Sequence, residues 1–245
     1  MQLTDSALPT GAFSHSFGLE AYLESGEVHD EQSLLVWLEG FLATQLTFTD
    51  AIAIRLAARL AEVGPGAAEV GSGAVEVGPG APDVGVRGPD VGGVEELDAE
   101  LSALLVPAQI RAASLKMGRR MLEIARDSFP SDALEAYSAA VRDNRCAGHY
   151  TIAFALAGAG QGLDEHTLVE AYLYSTLTSL TYNAVRAIPL GQLAGQRLLA
   201  ALRTKVPDAV VHSRTTDPRH FGAAVPALEI HQMRHEHQRA RMFMS

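Results

Sequence analysis

The residue types best suited to bond chemistry crowd the stretch "DSALPTGAFSHSFGLE" (5–20), where Asp5, Ser6, Thr10, Ser14, His15 and Ser16 fall within twelve positions. A serine beside a histidine suggests a nucleophile and its base. The spacing argues against it. A nucleophile elbow requires G-x-S-x-G on a strand-to-helix turn, whereas the string here is Gly11-Ala12-Phe13-Ser14-His15-Ser16-Phe17-Gly18 with no strand ahead of it. Side chains of adjacent residues diverge at a helix start. Pro9 and Gly11 predict a turn, with Ser14 or Ser16 capping a helix that carries Leu19, Tyr22 and Leu23.

Histidines offer a second chemistry. Five of the nine lie in the last 34 residues: His212, His220, His231, His235 and His237. In "HQMRHEH", His231 and His235 are four apart and share a helical face, so they are weak metal candidates. His237 falls roughly 200° round from His235, on the seam of Ile230, Met233, Ala240 and Met244. Two ligands do not make a closed site, and solvated helix histidines near a basic end are the plainer expectation. Cys146 and His149 form a Cys-x-x-His pair with no second pair at zinc spacing, so burial is expected for both. Phosphate cradles are missing: neither G-x-x-x-x-G-K-[ST] nor a G-x-G-x-x-G after a strand occurs. No catalytic set, metal site or cofactor follows from these patterns.

The elements that would carry these residues are helical. Apolar residues recur at three- and four-residue steps over 30–48 (Leu34, Leu38, Phe41, Leu42), 50–62, 94–106 and 108–127. Asp30 is a candidate N-cap, Asp132 with Glu135 resembles a capping box, and Asp164 opens a helix over 165–186 after one over 147–161 that Gly162 closes. Pro189 suits the first turn of a helix to about 204, a short helix follows Pro207, and a last one spans about 225–242. Gly191 and Gly195 would let a neighbouring helix approach. With no useful period-two alternation, the expectation is an all-α fold: one domain over 1–245, bundle-like, with about eight to ten helices.

Residues 62–93 break the pattern. An acidic residue followed by Val and Gly recurs every seven positions at Glu62, Glu69, Glu76, Asp83 and Asp90, and ten of the 22 glycines fall here. Gly and Pro forbid the coiled coil that a seven-residue period otherwise suggests. The composition predicts a disordered, acidic low-complexity insert within the domain.

The chain has 245 residues and a formal net charge of −10 from 29 acidic and 19 basic residues, seventeen of them Arg. This balance repels a phosphate backbone and argues against nucleic acid. A single cysteine fits a reducing compartment, and neither a signal peptide nor a membrane-length apolar run is visible. A cytoplasmic protein is expected. Arg234, Arg239 and Arg241 near the carboxyl terminus mix with Met and Phe, a composition enriched where proteins meet.

Four segments in order resemble the UreF family of urease accessory proteins: "DSALPTGAFSHSFGLEAYLESGEV", "SLKMGRRML" (114–122), 148–199 from "GHYTIAFALAGAGQG" to "PLGQLAGQRLL", and "PALEIHQMRHEHQRARMFMS" (226–245). The resemblance covers nearly everything except 62–93. It implies a helical, usually homodimeric protein without enzymatic activity. Such proteins act with a UreD/UreH-type accessory protein and a UreG-type GTPase to deliver nickel to apo-urease. It further implies that the segment 226–245, with Met233, Arg234, His235, Arg239, Arg241 and Phe243, docks on the UreD-type protein. Phe13, Ser14, His15, Ser16, Glu20 and Arg186 would lie near the UreG contact or line a polar path between partners.

Because residues 64–92 offer little to bury, deleting them is expected to move Tm by no more than about 2 °C in a thermal melt. A loss of many degrees would show that the repeat packs.

Overall fold

The computed structural model describes residues 2–5, 8–63, 93–222 and 225–235; for Ser14, Glu62, Val63 and His235 it describes backbone only. The low-complexity expectation thus falls almost wholly outside the described residues. Among those described there is no strand. Short 3₁₀ turns at Gln2–Thr4 and Ala12–Ser14 lead into α1 (Leu19–Glu24), α2 (Glu31–Phe41), a π-helical run (Leu42–Ala51) and α3 (Ile52–Val63). Then come α4 (Val94–Leu104), α5 (Ala108–Ser128), α6 (Asp132–Arg142), α7 (Tyr150–Ala159), α8 (Glu165–Ala187), α9 (Gln192–Arg203), α10 (Val206–Thr215) and α11 (Pro226–His235).

The core is organised around α7. Every residue from Tyr150 to Gly158 is buried, as a helix apolar on all sides requires. It packs most extensively on α3 and α5, with α6 and α8 completing its surround. Gly118 permits the crossing of α5 over the start of α7: a Cβ there would lie 2.0 Å from the Gly148 carbonyl oxygen, so two backbones meet where no side chain fits.

The start of α7 is held by a polar knot. Asp98 of α4 accepts hydrogen bonds from the backbone N–H groups of Ala147, Gly148 and His149, and from the Tyr137 hydroxyl of α6. The Tyr137 hydroxyl itself accepts from the His149 N–H at 2.9 Å. The His149 ring is fully buried between the Ser102 and Ser114 hydroxyls, at 2.8 Å from Nε2 and 3.0 Å from Nδ1. Burial lowers its affinity for a proton. Burial likewise pushes the Cys146 thiol up to about 12, with Asp98 and Glu95 adding to the effect. A protonated thiol and an imidazole whose nitrogens both serve serines leave the Cys-x-x-His pair structural, as expected.

Several local expectations are refined. Asp30 caps α2 in a reciprocal box with Ser33, and Asp164 caps α8 through the Thr167 N–H at 3.0 Å. At α6 the cap is Ser131, one residue earlier than the sequence suggested, because its hydroxyl accepts from the Leu134 N–H; Glu135 instead pairs with Arg126 and Arg142. Helix α9 begins at Gln192 rather than at Pro189, with Gly191 as its N-cap. A Cβ on Gly195 would stand 3.1 Å from Val185 of α8, whereas one on Gly191 would meet nothing, so only the second glycine serves close packing.

The larger departure is at 42–51. The three- and four-residue apolar steps over 30–48 and 50–62 suggest α-helical turns, but α2 and α3 are joined through π-helical turns. These carry one more residue per hydrogen-bonded ring than an α-helix and shift the apolar period. Thr47 stabilises the widened turn by donating its hydroxyl to the Leu42 carbonyl five residues back, at 2.6 Å. The run also brings Asp50 inside. Its Oδ1 accepts from the Tyr172 hydroxyl at 2.9 Å, and burial pushes its carboxyl up to about 7.

This burial has a signed consequence. Between about pH 4 and about pH 7 the folded chain keeps a proton on Asp50 that the unfolded chain has released, so raising pH across that window favours unfolding, by up to about 4 kcal/mol. Asp50→Asn is expected to gain stability over the wild type as urea titrations move from about pH 4.5 to about pH 7.5. Parallel pH curves for the two proteins would refute the assignment.

Candidate functional site

The amino-terminal stretch is a loop clamped from behind. Gly11 and Gly18 adopt φ of 85° and 92°, and Phe17 sits at 50°. Two buried primary amides hold the resulting bends. Asn183 of α8, fully buried, donates through Nδ2 to the Phe13 carbonyl at 3.1 Å and the His15 carbonyl at 3.2 Å. Gln232 of α11, 2 % exposed, donates through Nε2 to the Phe17 carbonyl at 3.1 Å and to Gln45 Oε1 at 2.9 Å. Arg186, one turn beyond Asn183, donates to its Oδ1 and lies over the Phe13 ring, 5.7 Å from its centroid.

In this geometry His15 serves its own turn. His15 is buried, its Nδ1 accepts from the Phe17 N–H at 3.0 Å, and its ring lies 4.3 Å from that of Phe17. The histidine is committed to the turn it belongs to. Ser16 and Glu20 are buried as well. Capping by Ser14 or Ser16 does not occur: α1 starts from Gly18 with no side-chain cap, since its left-handed backbone already turns the chain into the helix. Phe13 is half-buried and Arg186 exposed, so these two form the outer side of the loop.

The carboxyl-terminal helix leans on the same loop. His231 stacks on Tyr22 of α1, centroids 3.8 Å apart at 14°. Its Nδ1 lies 2.8 Å from the Ala227 carbonyl oxygen, and its Nε2 lies 2.9 Å from Glu27 Oε1. The side chain is 12 % exposed. Solvated histidines were expected here; His231 instead is packed, because Tyr22 supplies a flat apolar face and Glu27 an acceptor. Both ring nitrogens are thus within hydrogen-bond distance of oxygens, while the side chain of His235 lies outside what is described. Hydrogen bonds from Ser25 and then His231 hold the Glu27 carboxyl below its usual range, and burial, then Glu27, raises the Tyr22 phenol. Among the described residues no group of three or more His, Cys, Asp or Glu is placed to hold a metal ion.

Helix α11 therefore has two faces. Leu228 and Gln232 point inward, while Ile230, at 48 % exposure, Met233, at 40 %, and Arg234 point outward. Arg239, Arg241 and Phe243 lie outside the described residues. Periodicity put Ile230 and Met233 on one seam, but the inward roles of Asn183 and Gln232 carried no signal, since a polar amide in a helix reads as a surface residue until its partners are known.

The model of the UreF family matches residues 28–203. The chain belongs to the UreF family. Proteins named "Urease accessory protein UreF" from Arthrobacter sp. (strain FB24), Paenarthrobacter aurescens (strain TC1) and Corynebacterium efficiens are 48 %, 45 % and 44 % identical to it, each over the whole of this chain and 95 %, 96 % and 95 % of the relative. The family model leaves out both the loop and α11, but these full-length matches span them. Membership makes the chain a urease accessory protein rather than an enzyme. None of the described helices is long and apolar enough to cross a membrane.

The close seating of loop and helix gives a direct test. A Cβ on Gly18 would stand 2.6 Å from Gln232 Cγ, at a φ that L side chains rarely adopt. Gly18→Ala is expected to cost about 1–2 kcal/mol in urea denaturation and to speed proteolysis within 226–235. Wild-type stability and cleavage would show that the two segments are not seated on each other.

Proposed function

We propose that this UreF-family chain is a maturation scaffold that holds a UreD/UreH-type accessory protein and a UreG-type GTPase together while nickel is inserted into apo-urease. In this reading it works in the cytoplasm as a homodimer and supplies surface rather than bond chemistry. The observation that carries the reading is the outward face of α11. Ile230 and Met233 are exposed beside Arg234 while the opposite face is fastened to the body of the chain. An apolar pair beside an arginine, on a helix whose position is already fixed, suits a protein partner because little ordering entropy remains to be spent on docking.

The UreD-type protein would take this face together with His235, Arg239, Arg241 and Phe243. The GTPase would approach Phe13 and Arg186, with Ser14, His15, Ser16 and Glu20 setting the shape of that loop. The alternative, nickel carried by His231 and His235, is disfavoured by the contacts of His231 with Tyr22, Glu27 and Ala227.

Two measurements test the scaffold. Ile230→Asp with Met233→Asp, which leaves Gln232 in place, is expected to weaken binding to the UreD-type protein at least about tenfold, with helicity unchanged by circular dichroism. Co-expression of urease with its other accessory proteins is expected to yield nickel-loaded, active urease only when this chain is present. Unaltered binding by the double variant would refute the docking face, and full activation without the chain would refute the role itself.

A further inference from the structure

On the side of the loop away from α8, a groove of about 660 Å³ runs between Pro9–Gly11 and the outer face of α5. Its apolar part is made by Pro9, Ala112 and Leu115, and its rim by Lys116, Arg119, Arg120 and Glu123, the last neutralised by Arg120. Helix α5 is out of character with the chain: it holds five of the 19 basic residues and two of the 29 acidic ones. Most of its cations are engaged. Arg126 pairs with Glu135, Arg111 donates to the Leu105 carbonyl, and Arg120 donates to Glu123 and the Pro9 carbonyl. Lys116 and Arg119 are exposed and make no ion pair among the described residues. They stand one turn apart on α5, both at the groove.

We infer that this groove docks a short acidic segment of a partner protein, seating one apolar side chain against Ala112 and Leu115 and its carboxylates on Lys116 and Arg119. Charge complementarity decides the occupant. Two unpaired cations beside an apolar floor match one or two carboxylates flanking an apolar residue. A chain of net charge −10 repels a long polyanion, but at physiological salt the field is screened beyond about 8 Å, so a short segment meets the local cations rather than the whole protein. Nucleic acid would require many more phosphate contacts than two side chains supply. The carboxylates find more than point charges: Arg119 offers a planar fork that pairs with a carboxylate through two parallel bonds. The inference does not depend on the maturation scaffold, because it concerns a different face from α11 and is read without urease.

The probe is a fluorescein-labelled peptide of alternating Glu and Leu residues, titrated with the full chain and followed by anisotropy. Its Gln-for-Glu counterpart, an oligothymidylate of similar charge and phosphatidylserine vesicles serve as comparisons. The acidic peptide is expected to bind, and the Gln peptide to bind at least about tenfold more weakly. Lys116→Glu with Arg119→Glu is expected to weaken the acidic peptide about tenfold, whereas Lys116→Arg, which leaves Arg119 in place, retains most of the affinity. Raising salt from about 0.05 to about 0.3 M is expected to weaken the wild type more than the charge-reversed variant. Both substituted positions are exposed, and circular dichroism verifies that the variants fold. No binding of the acidic peptide, equal binding of the Gln peptide, or undiminished binding by the reversed variant overturns the inference. Tighter binding of the oligonucleotide or the vesicles overturns it in favour of that ligand.

Discussion

Two side-chain amides hold the amino-terminal loop against helices α8 and α11. Asn183 and Gln232 are buried, and between them they satisfy the carbonyls of Phe13, His15 and Phe17. A loop with three positive-φ residues in eight positions cannot satisfy its own backbone by helical bonding. A buried carbonyl without a donor costs about 1–3 kcal/mol, so removing either amide would destabilise the loop by an amount comparable to a large core truncation. The amides come from two helices, the long buried α8 and the later α11. The loop is therefore one place where the terminal helix is joined to the rest of the chain, beside the stack of His231 on Tyr22.

That joint depends on deeper order. Asn183 is positioned by α8, which is tied to α3 through Glu165 with Arg55 and Arg59, while Arg55 also reaches the Val210 carbonyl and the Ser213 hydroxyl of α10. Gln232 is positioned by its second partner, Gln45, which lies in the π-helical run. The same run carries Asp50, a carboxyl that burial pushes up to about 7. The irregular backbone between α2 and α3 thus serves the joint by setting where Gln45 points, at the cost of an interior acid whose ionisation opposes folding.

Much of the architecture was legible because periodicity and caps are local. Asp30 and Asp164 cap where expected, the helix expected over 147–161 became the central helix Tyr150–Ala159, and α4 to α9 begin and end within a few residues of the pattern, while the far end of the last expected helix lies outside the described residues. What was not legible depended on partners far along the chain. Nothing local marks Asp98 of α4 as the acceptor for three backbone N–H groups some fifty residues away. His231 looked solvated until Tyr22 stacked on it, about two hundred residues earlier in sequence. The serine-rich opening suggested caps because capping is a short-range signal, whereas the glycine turn and distant amides that in fact shape it are not. The family resemblance, by contrast, was fully legible, since it rests on residue identities rather than on contacts, and it is what identifies this chain as a urease accessory protein.

The account stands or falls on whether the loop and the terminal helix behave as one unit. Hydrogen exchange of Gln232→Ala, read segment by segment by mass spectrometry, addresses this directly. Loss of that one amide is expected to raise exchange in 13–20 and in 226–235 together, while α7 keeps wild-type protection. Faster exchange in α11 alone, with the loop unaffected, would show that the two segments are independent and that the buried amide does not join them.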